Sequence, residues 1–113
     1  FPATGLNERF RFLRYTEGQY FKPHYDGSYT TPDGSRRSMV TCQIYLNEGF
    51  VGGNTNILDP FNSDVIVESV VPKTGRVLLF DHRTNHEGAM LGSGVKYAVR
   101  TEIMYDLRPS HRD

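Results

Sequence analysis

The chain has 113 residues, and its 13 basic and 13 acidic side chains balance to a formal net charge of zero. A hydrophobic content of 37% with 12% aromatic residues argues against a disordered segment, and the length fits one domain with a modest core. The balanced charge excludes an overall field that would draw the protein to nucleic acid or to an anionic membrane. We therefore expect residues 1–113 to form a single domain. Because the chain opens on Phe1 without an initiator methionine, we also expect a piece of a longer protein.

Cys42 is the single cysteine, and it lies inside the apolar segment 40–46. No disulfide can form within the chain, and we expect a buried, unreactive thiol. This cysteine usage favours a reducing compartment such as the cytoplasm or nucleus. The sequence has neither a run of about eighteen apolar residues nor a charged-then-apolar leader, so it predicts no membrane span and no signal peptide. A targeting segment upstream of Phe1 is left open.

The amino-terminal residues predict a turn followed by a strand. Residues 2–7 contain proline, glycine and asparagine, which is typical of a turn. Polar and apolar residues then alternate over 9–15, which predicts a half-buried strand with Phe10 and Phe12 on one face.

The rest of the chain predicts strands separated by turns. Residues 19–25 are extended, and Pro23, which lacks the N–H that a central ladder needs, favours a sheet edge or a strand end. Residues 27–37, rich in glycine, serine and proline, predict an exposed loop. The remaining predicted strands are 38–46, 55–58, 65–71, 76–80 and 95–105.

No segment carries a helical period of 3.6, so the predicted fold is all-β. Gly52 and Gly53 indicate a flexible turn or bulge, and the apolar run 76–80 indicates a central strand. Short strands at fairly even spacing, with turn residues between them, favour a sandwich or a barrel-like roll.

Two potential metal ligands lie at the end of the extended segment 19–25 and directly after it. On an extended strand, residues two apart project from the same face, so the His24 imidazole and the Asp26 carboxylate point at one spot. Two ligands do not hold a metal, and His86, which follows the apolar run 77–80, is the best third ligand. Two histidines and one carboxylate on one face of an octahedron leave three positions free, which suits iron(II) activating oxygen beside a bidentate co-substrate.

The other two histidines, His82 and His111, are not needed for this set, and we expect His82 to be dispensable for metal binding. A His-x-Asp triplet is common by chance, so the interpretation as a metal site depends on its surroundings.

The last predicted strand has one apolar and one mixed face. Lys96 and Arg100 share the mixed face with Glu102. If this face lines a pocket, either cation could neutralise a co-substrate carboxylate. If it faces solvent, the cations are surface charges paired with Glu102.

These segments together resemble the Fe(II)/2-oxoglutarate-dependent dioxygenases, and within that family the prolyl 4-hydroxylase catalytic domains. The resemblance runs from about Arg9 to Tyr105 and depends on the order and spacing of short segments. His86 and Lys96 are 96 − 86 = 10 positions apart, which is the spacing such hydroxylases use between the distal histidine and the basic residue. The matching segments are 14–20, 24–26, 44–55, 75–80, 86–88 and 94–97.

The resemblance implies a role for seven residues. The implied iron ligands are His24, Asp26 and His86. Lys96 is implied to pair with the distal carboxylate of 2-oxoglutarate. The remaining implied co-substrate contacts are a tyrosine that hydrogen-bonds that carboxylate, a threonine that lines the pocket and a second tyrosine, namely Tyr15, Thr55 and Tyr45. For the two tyrosines, core packing is the alternative.

The implied fold is a mainly β double-stranded β-helix, also called a jelly roll. Members of the family carry amino-terminal helices that support the sheet and contribute to the substrate groove, and this chain shows no matching segment. The family also commonly has glutamate at the position of Asn54, a difference that should leave the metal unaffected.

The implied activity uses Fe(II), 2-oxoglutarate and O2, with ascorbate as reductant, and releases succinate and CO2 while a substrate is hydroxylated. A prolyl residue in a protein or peptide is the expected substrate, and a free amino acid or small metabolite is the alternative. Oligomeric state is left open.

Three other classes of protein fit the sequence less well. A nucleic-acid demethylase would carry paired arginines after the distal histidine, so we expect no nucleic-acid partner. A non-catalytic metal-binding module has no need of Lys96 beside three ligands. A zinc hydrolase would need a nearby general base and has no use for the Lys96 spacing.

Overall fold

A computed structural model describes residues 1–108, which form eleven strands and no helix, as the all-β prediction requires. Within these residues no helix is long and apolar enough to cross a membrane. His111 and the rest of 109–113 lie outside the described part. The strands are β1 (Ala3–Leu6), β2 (Arg11–Tyr15), β3 (Phe21–His24), β4 (Arg36–Tyr45), β5 (Val51–Gly52), β6 (Thr55–Leu58), β7 (Ile66–Val70), β8 (Val77–Asp81), β9 (His86–Gly88), β10 (Leu91–Ser93) and β11 (Lys96–Asp106).

The strands form two antiparallel sheets and a short ribbon. The major sheet has the order β1-β11-β4-β8, with β2 also paired to β11, and the minor sheet has the order β3-β9-β6-β7. Strands β10 and β5 form the ribbon. Side chains from both sheets line one cavity, so the sheets face each other in a jelly roll.

The long strands β4 and β11 form the centre of the major sheet, and most of the buried apolar side chains come from them. Tyr45 is completely buried, and Cys42 is buried as predicted, with its pKa raised by burial. The other buried apolar residues are Leu58, Phe80, Leu91, Ala98, Val99 and Met104.

The register of β11 determines which face of each strand points inward. Lys96 lies opposite Tyr15 of β2, and Ala98 lies opposite Tyr45 of β4. Directly opposed residues project from the same face. Since Lys96 is 3% exposed and lines the cavity, the mixed face of β11 is the inner one, and the solvent-facing alternative is wrong for Lys96.

The same register determines which face of β2 points inward, which the sequence left open. Phe12 lies on the outer face, opposite Val99, and is 77% exposed, whereas Leu13 and Tyr15 point into the cavity. The alternation in 9–15 predicts the strand itself, and the structure shows which of its two faces points inward. The apolar side of β2 lies outside because the inner surface of this sheet is a polar site.

Two further predictions about strands were wrong. The run 76–80 was expected to be central, but β8 pairs only with β4 among the described strands and leaves Val77 and Leu79 half exposed. Residues 2–7 were expected to be a turn, but β1 pairs with β11 across a bulge at Gly5. A short, glycine-containing strand gives little local signal because its pairing partner is distant in sequence.

Candidate metal centre

Pairing of β3 with β9 brings the two histidines of the predicted iron site together. His24 is the last residue of β3 and His86 is the first of β9, and the two are register partners. Their ring centroids lie 4.2 Å apart. Asp26 follows β3, where its backbone N–H donates to the His82 carbonyl oxygen at 3.2 Å. The structure therefore places all three predicted ligands at one end of the cavity between the sheets.

The potential donor atoms of this cluster converge. The donor atoms of His24, Asp26 and His86 lie within 4.8 Å of one another. Asp26 Oδ1 lies 3.4 Å from Nε2 of each histidine. Two imidazole nitrogens and one carboxylate oxygen form the donor set expected of a non-haem iron(II) site.

Hydrogen bonds assign the imidazole tautomers. His24 Nδ1 lies 2.7 Å from the Lys22 carbonyl oxygen, and His86 Nδ1 lies 2.9 Å from the Thr84 carbonyl oxygen. A carbonyl oxygen only accepts, so each Nδ1 carries the proton and each neutral ring presents an Nε2 lone pair. This arrangement, with a backbone carbonyl behind each imidazole, is typical of metal-binding histidines.

One buried acceptor atom of this cluster has no donor among the described residues. His24 Nε2 is buried and has no hydrogen-bond partner within residues 1–108. Burial also lowers the pKa of His24, which favours the neutral ring. Two lone pairs and a carboxylate facing one point repel each other unless a cation lies between them. The residues therefore fit a divalent metal ion.

Asp26 is held as a carboxylate. Burial raises its pKa, but the hydrogen bond that the Thr41 hydroxyl donates and the positive charge of Arg100 favour the ionised form, and the pKa of the acid lies well below its ordinary value. The group therefore supplies a full negative charge to the cluster at neutral pH.

At the far side of the cavity, Lys96 is a buried cation with no carboxylate beside it. Its Nζ donates to the Gly53 carbonyl oxygen at 2.7 Å and lies 5.0 Å above the Tyr15 ring. No acidic side chain of residues 1–108 is within ion-pair distance of this ammonium group. Burial lowers the pKa of Lys96 to about 8. An anion entering the cavity would supply the missing counter-charge.

Thr55 presents an unused hydroxyl hydrogen to the same cavity. Its Oγ1 accepts from the Tyr45 hydroxyl at 2.6 Å and from Gln43 Nε2 at 3.2 Å. Both contacts use lone pairs, so the Thr55 hydrogen is available to a ligand. Tyr45 is fully buried and acts on the cavity through Thr55. The core-packing alternative thus holds for the position of Tyr45, although its partner is a side chain and not the backbone.

Six of the seven predicted residues line the cavity or belong to the cluster of donor atoms at its end. The seventh, Tyr45, lies behind Thr55, to which its hydroxyl donates. The sequence missed Gln43, although it lies two positions before Tyr45 on the same face of β4. It also missed Phe21, which stacks on the His24 ring at 4.0 Å. The full lining is Leu13, Tyr15, Phe21, His24, Gln43, Thr55, His86, Glu87, Gly88, Lys96 and Arg100.

His82 is not one of the converging donors, but it is not a free surface residue. It is 5% exposed, and burial lowers its pKa. Its ring contacts Thr41 and Ser38, and Thr41 in turn contacts Asp26. No motif in the sequence pointed to this network.

Sequence comparison assigns the chain to a family. The profile of the 2OG-Fe(II) oxygenase superfamily matches residues 10–101. The chain belongs to this superfamily, whose chemistry uses Fe(II), 2-oxoglutarate and O2. No curated protein matches the chain.

The chain is also similar to solved prolyl hydroxylases. A prolyl-4-hydroxylase from Pseudomonas putida is 27% identical with a TM-score of 0.61, over 88% of this chain and 54% of that one. A prolyl hydroxylase from Trichoplax adhaerens, solved with a peptide fragment of the hypoxia inducible factor oxygen degradation domain, is 25% identical with a TM-score of 0.67, over 89% and 44%.

A third neighbour supports the fold. The viral collagen prolyl hydroxylase of Paramecium bursaria Chlorella virus-1, in its 2-oxoglutarate complex, is 24% identical with a TM-score of 0.59, over 86% of this chain and 61% of that one. The chain spans about half the length of the solved proteins that it matches.

Proposed function

We propose that this chain is the core of an Fe(II)- and 2-oxoglutarate-dependent dioxygenase in which His24, Asp26 and His86 hold the iron. The observation that carries the proposal is the pairing of two incomplete sites in one cavity. At one end three acceptor groups converge, and at the other the buried Lys96 ammonium has no carboxylate of residues 1–108 beside it. A metal ion and a dicarboxylate complete both.

The metal site is prepared by the chain before any metal binds. The carbonyl oxygens of Lys22 and Thr84 hold the two Nδ1 protons, so no proton has to leave an imidazole when a metal arrives. Iron(II) bound there would couple the oxidative decarboxylation of 2-oxoglutarate, to succinate and CO2, to hydroxylation of a C–H bond.

Lys96, Tyr15 and Thr55 would bind the distal carboxylate of 2-oxoglutarate. The Lys96 ammonium uses one of its three hydrogens on Gly53 and has others to donate. Thr55 has its hydroxyl hydrogen free, and Tyr45 acts as a positioning residue that fixes the Thr55 oxygen. Burial makes these charge-assisted bonds stronger than they would be in water.

The substrate class that we propose is a prolyl residue within a protein or peptide. The support is the similarity to two prolyl hydroxylases, one of them solved with a peptide. A second cavity of about 330 Å³ opens beside Asp26, bordered by Arg11 and Arg100, and offers an approach to the metal end. We propose ascorbate as the reductant, and residues 1–113 as one catalytic unit.

The test of this function is a turnover experiment. The protein is incubated in air with Fe(II), 2-oxoglutarate, ascorbate and a set of proline-containing peptides, and the mixture is analysed for succinate and for peptides that gain one oxygen atom. Succinate together with an oxygen on proline supports the proposal. Succinate with hydroxylated free proline in place of peptide would overturn the substrate class, and no succinate beyond that of Asp26→Ala would overturn the activity.

A further inference from the structure

Three buried polar side chains form a hydrogen-bonded line that ends on Asp26. Thr41 Oγ1 lies 2.5 Å from Asp26 Oδ2, and His82 Nδ1 lies 3.0 Å from Thr41 Oγ1. Beyond the ring, His82 Nε2 lies 2.9 Å from Ser38 Oγ. Ser38, Thr41 and His82 are each no more than 5% exposed. The family resemblance assigns no function to any of the three.

With a neutral imidazole, one arrangement of hydrogens satisfies every contact in this line. A carboxylate only accepts, so Thr41 donates its one hydroxyl hydrogen to Asp26. Thr41 Oγ1 must then accept from His82 Nδ1–H, which leaves His82 Nε2 to accept from the Ser38 hydroxyl. Ser38 Oγ accepts in turn from the Tyr29 backbone N–H at 2.7 Å. Every hydrogen bond in the line is therefore donated in the same direction, from the Tyr29 backbone N–H towards the Asp26 carboxylate.

This line gives the two oxygens of Asp26 different partners. Oδ1 lies 3.4 Å from Nε2 of both His24 and His86, whereas Oδ2 faces Thr41. The same His82 residue also accepts from the Asp26 backbone N–H through its own carbonyl oxygen. Asp26 is thus held at its backbone by His82 and at its carboxylate by Thr41, although it lies beyond the end of β3.

We propose that Ser38, His82 and Thr41 are positioning residues that hold Asp26 Oδ2 away from the metal, so that Asp26 binds through Oδ1 alone. An unrestrained carboxylate could swing Oδ2 in and bind through both oxygens, which would use a coordination position that the co-substrate or oxygen requires. The inference rests on the proposed function, because it assumes a metal ion between His24, Asp26 and His86. It replaces the expectation that His82 is dispensable.

The test compares metal binding by matched variants, with cobalt(II) alone as the probe and its visible absorption as the readout. Thr41→Val keeps the branched shape but removes the hydroxyl, and it should weaken cobalt(II) binding by about tenfold to hundredfold, the range expected for loss of a group behind a metal ligand. Thr41→Ser keeps the hydroxyl and should bind as the parent does. His82→Phe should weaken binding in the same direction, and the double variant should bind no more weakly than Thr41→Val.

Thr101→Val is the matched control. Thr101 is another buried β-sheet threonine, 1% exposed, but its hydroxyl shares its one hydrogen between the backbone carbonyl oxygens of residues 7 and 9, each 3.0 Å away, and does not contact Asp26. It should lose stability without losing metal affinity. The positioning role is overturned if Thr41→Val binds cobalt(II) as tightly as the parent, or if Thr101→Val loses as much. If Thr41→Val does not fold, cobalt(II) binding by His82→Phe is compared with that of the parent, and equal binding overturns the positioning role.

Comparing the parent with Asp26→Ala distinguishes failure of the proposed iron site from failure of the positioning role alone. If the parent binds cobalt(II) no better than Asp26→Ala, the proposed iron site fails, and the positioning role fails with it. If Asp26→Ala loses the metal but Thr41→Val and His82→Phe both retain it, only the positioning role fails.

Discussion

Lys96 and Arg100 lie on the same inward face of β11, but only Lys96 is fully buried. They are 100 − 96 = 4 residues apart, so at about 3.3 Å per residue their Cα atoms are separated by roughly 13 Å. Only one of them can therefore contact the distal end of a five-carbon acid chelated at the metal. We propose that this residue is Lys96, which is buried beside Tyr15 and Gly53.

The first prediction is that Lys96→Ala weakens 2-oxoglutarate binding while Arg100→Ala changes it only slightly. Loss of a charge-assisted hydrogen bond costs about 1.5–3 kcal/mol, which corresponds to about tenfold to hundredfold in the apparent constant. Steady-state titration of 2-oxoglutarate measures both variants, and iron affinity should change little in either. A larger loss in Arg100→Ala would transfer the role to Arg100.

The second prediction concerns pH. The pKa of Lys96 is lowered to about 8 by burial in the free protein, and a bound carboxylate would raise it by favouring the ammonium form. Below about pH 8 Lys96 is already charged, so its titration should not change the affinity for 2-oxoglutarate in that range. Above that pH, binding must take up a proton, so affinity should fall until the pKa of the complex is reached.

Calorimetry in two buffers of different ionisation enthalpy measures this proton uptake directly. At about pH 9 the parent should take up protons on binding 2-oxoglutarate, whereas Lys96→Met should bind weakly without this uptake. Equal uptake by the two proteins would show that another group titrates.

The third prediction is that Asp26→Ala abolishes oxygen-dependent turnover of 2-oxoglutarate and leaves the fold intact. Asp26 lies beyond the end of β3 and outside the apolar core, so its loss removes charge from the metal site without opening a cavity in the core. Succinate formation and far-ultraviolet circular dichroism check the two halves. Full succinate production by this variant would contradict the assignment of Asp26 as a ligand.

At the scale of the strands, the metal site depends on pairings that join distant parts of the chain. The β3–β9 register sets His24 beside His86, and the β11–β2 register sets Lys96 beside Tyr15. The short ribbon of β5 and β10 lies next to Gly53, whose carbonyl binds Lys96. Because Gly52 and Gly53 both have a positive φ, this approach is available only to glycine at low cost.

The fourth prediction tests the ribbon. Gly52 has a φ of 77°, and a Cβ there would lie 2.5 Å from the Met90 carbonyl oxygen, so Gly52→Ala should cost clearly more than the roughly 1–2 kcal/mol of a left-handed alanine. Gly34 has a φ of 75° with nothing within 4 Å of the position that a Cβ would occupy. Gly34→Ala should therefore lower the free energy of unfolding only by the cost of a left-handed alanine. Urea unfolding gives both free energies, and equal values would contradict the close approach at Gly52.

The sequence predicted strands best where the apolar pattern was long or bounded by turns. The bounds of β6 at Thr55–Leu58 agree with the prediction, and β4 and β11 differ from theirs by one or two residues. Strands β9 and β10 were missed because three residues with glycines show no alternation. Their stability comes from partners far along the chain, which local pattern does not reveal.

At the scale of the whole molecule, the space between the sheets is a polar site, and this explains which predictions succeeded. His24, Asp26 and His86 could be chosen from spacing and residue chemistry, because metal ligands must be of these types. The inward direction of β2 and the buried contacts of His82 could not, because both depend on a polar interior that reverses the usual rule for which face is buried.

The measurement that tests the account most directly is an anaerobic titration of the protein with Fe(II), with and without 2-oxoglutarate, followed by visible absorption. We predict a metal-to-ligand charge-transfer band that needs both additions. The band should be absent in Asp26→Ala, and in Lys96→Ala it should require a higher concentration of 2-oxoglutarate. A band that forms equally well in Asp26→Ala, or no band in the parent at saturating Fe(II) and 2-oxoglutarate, would contradict it.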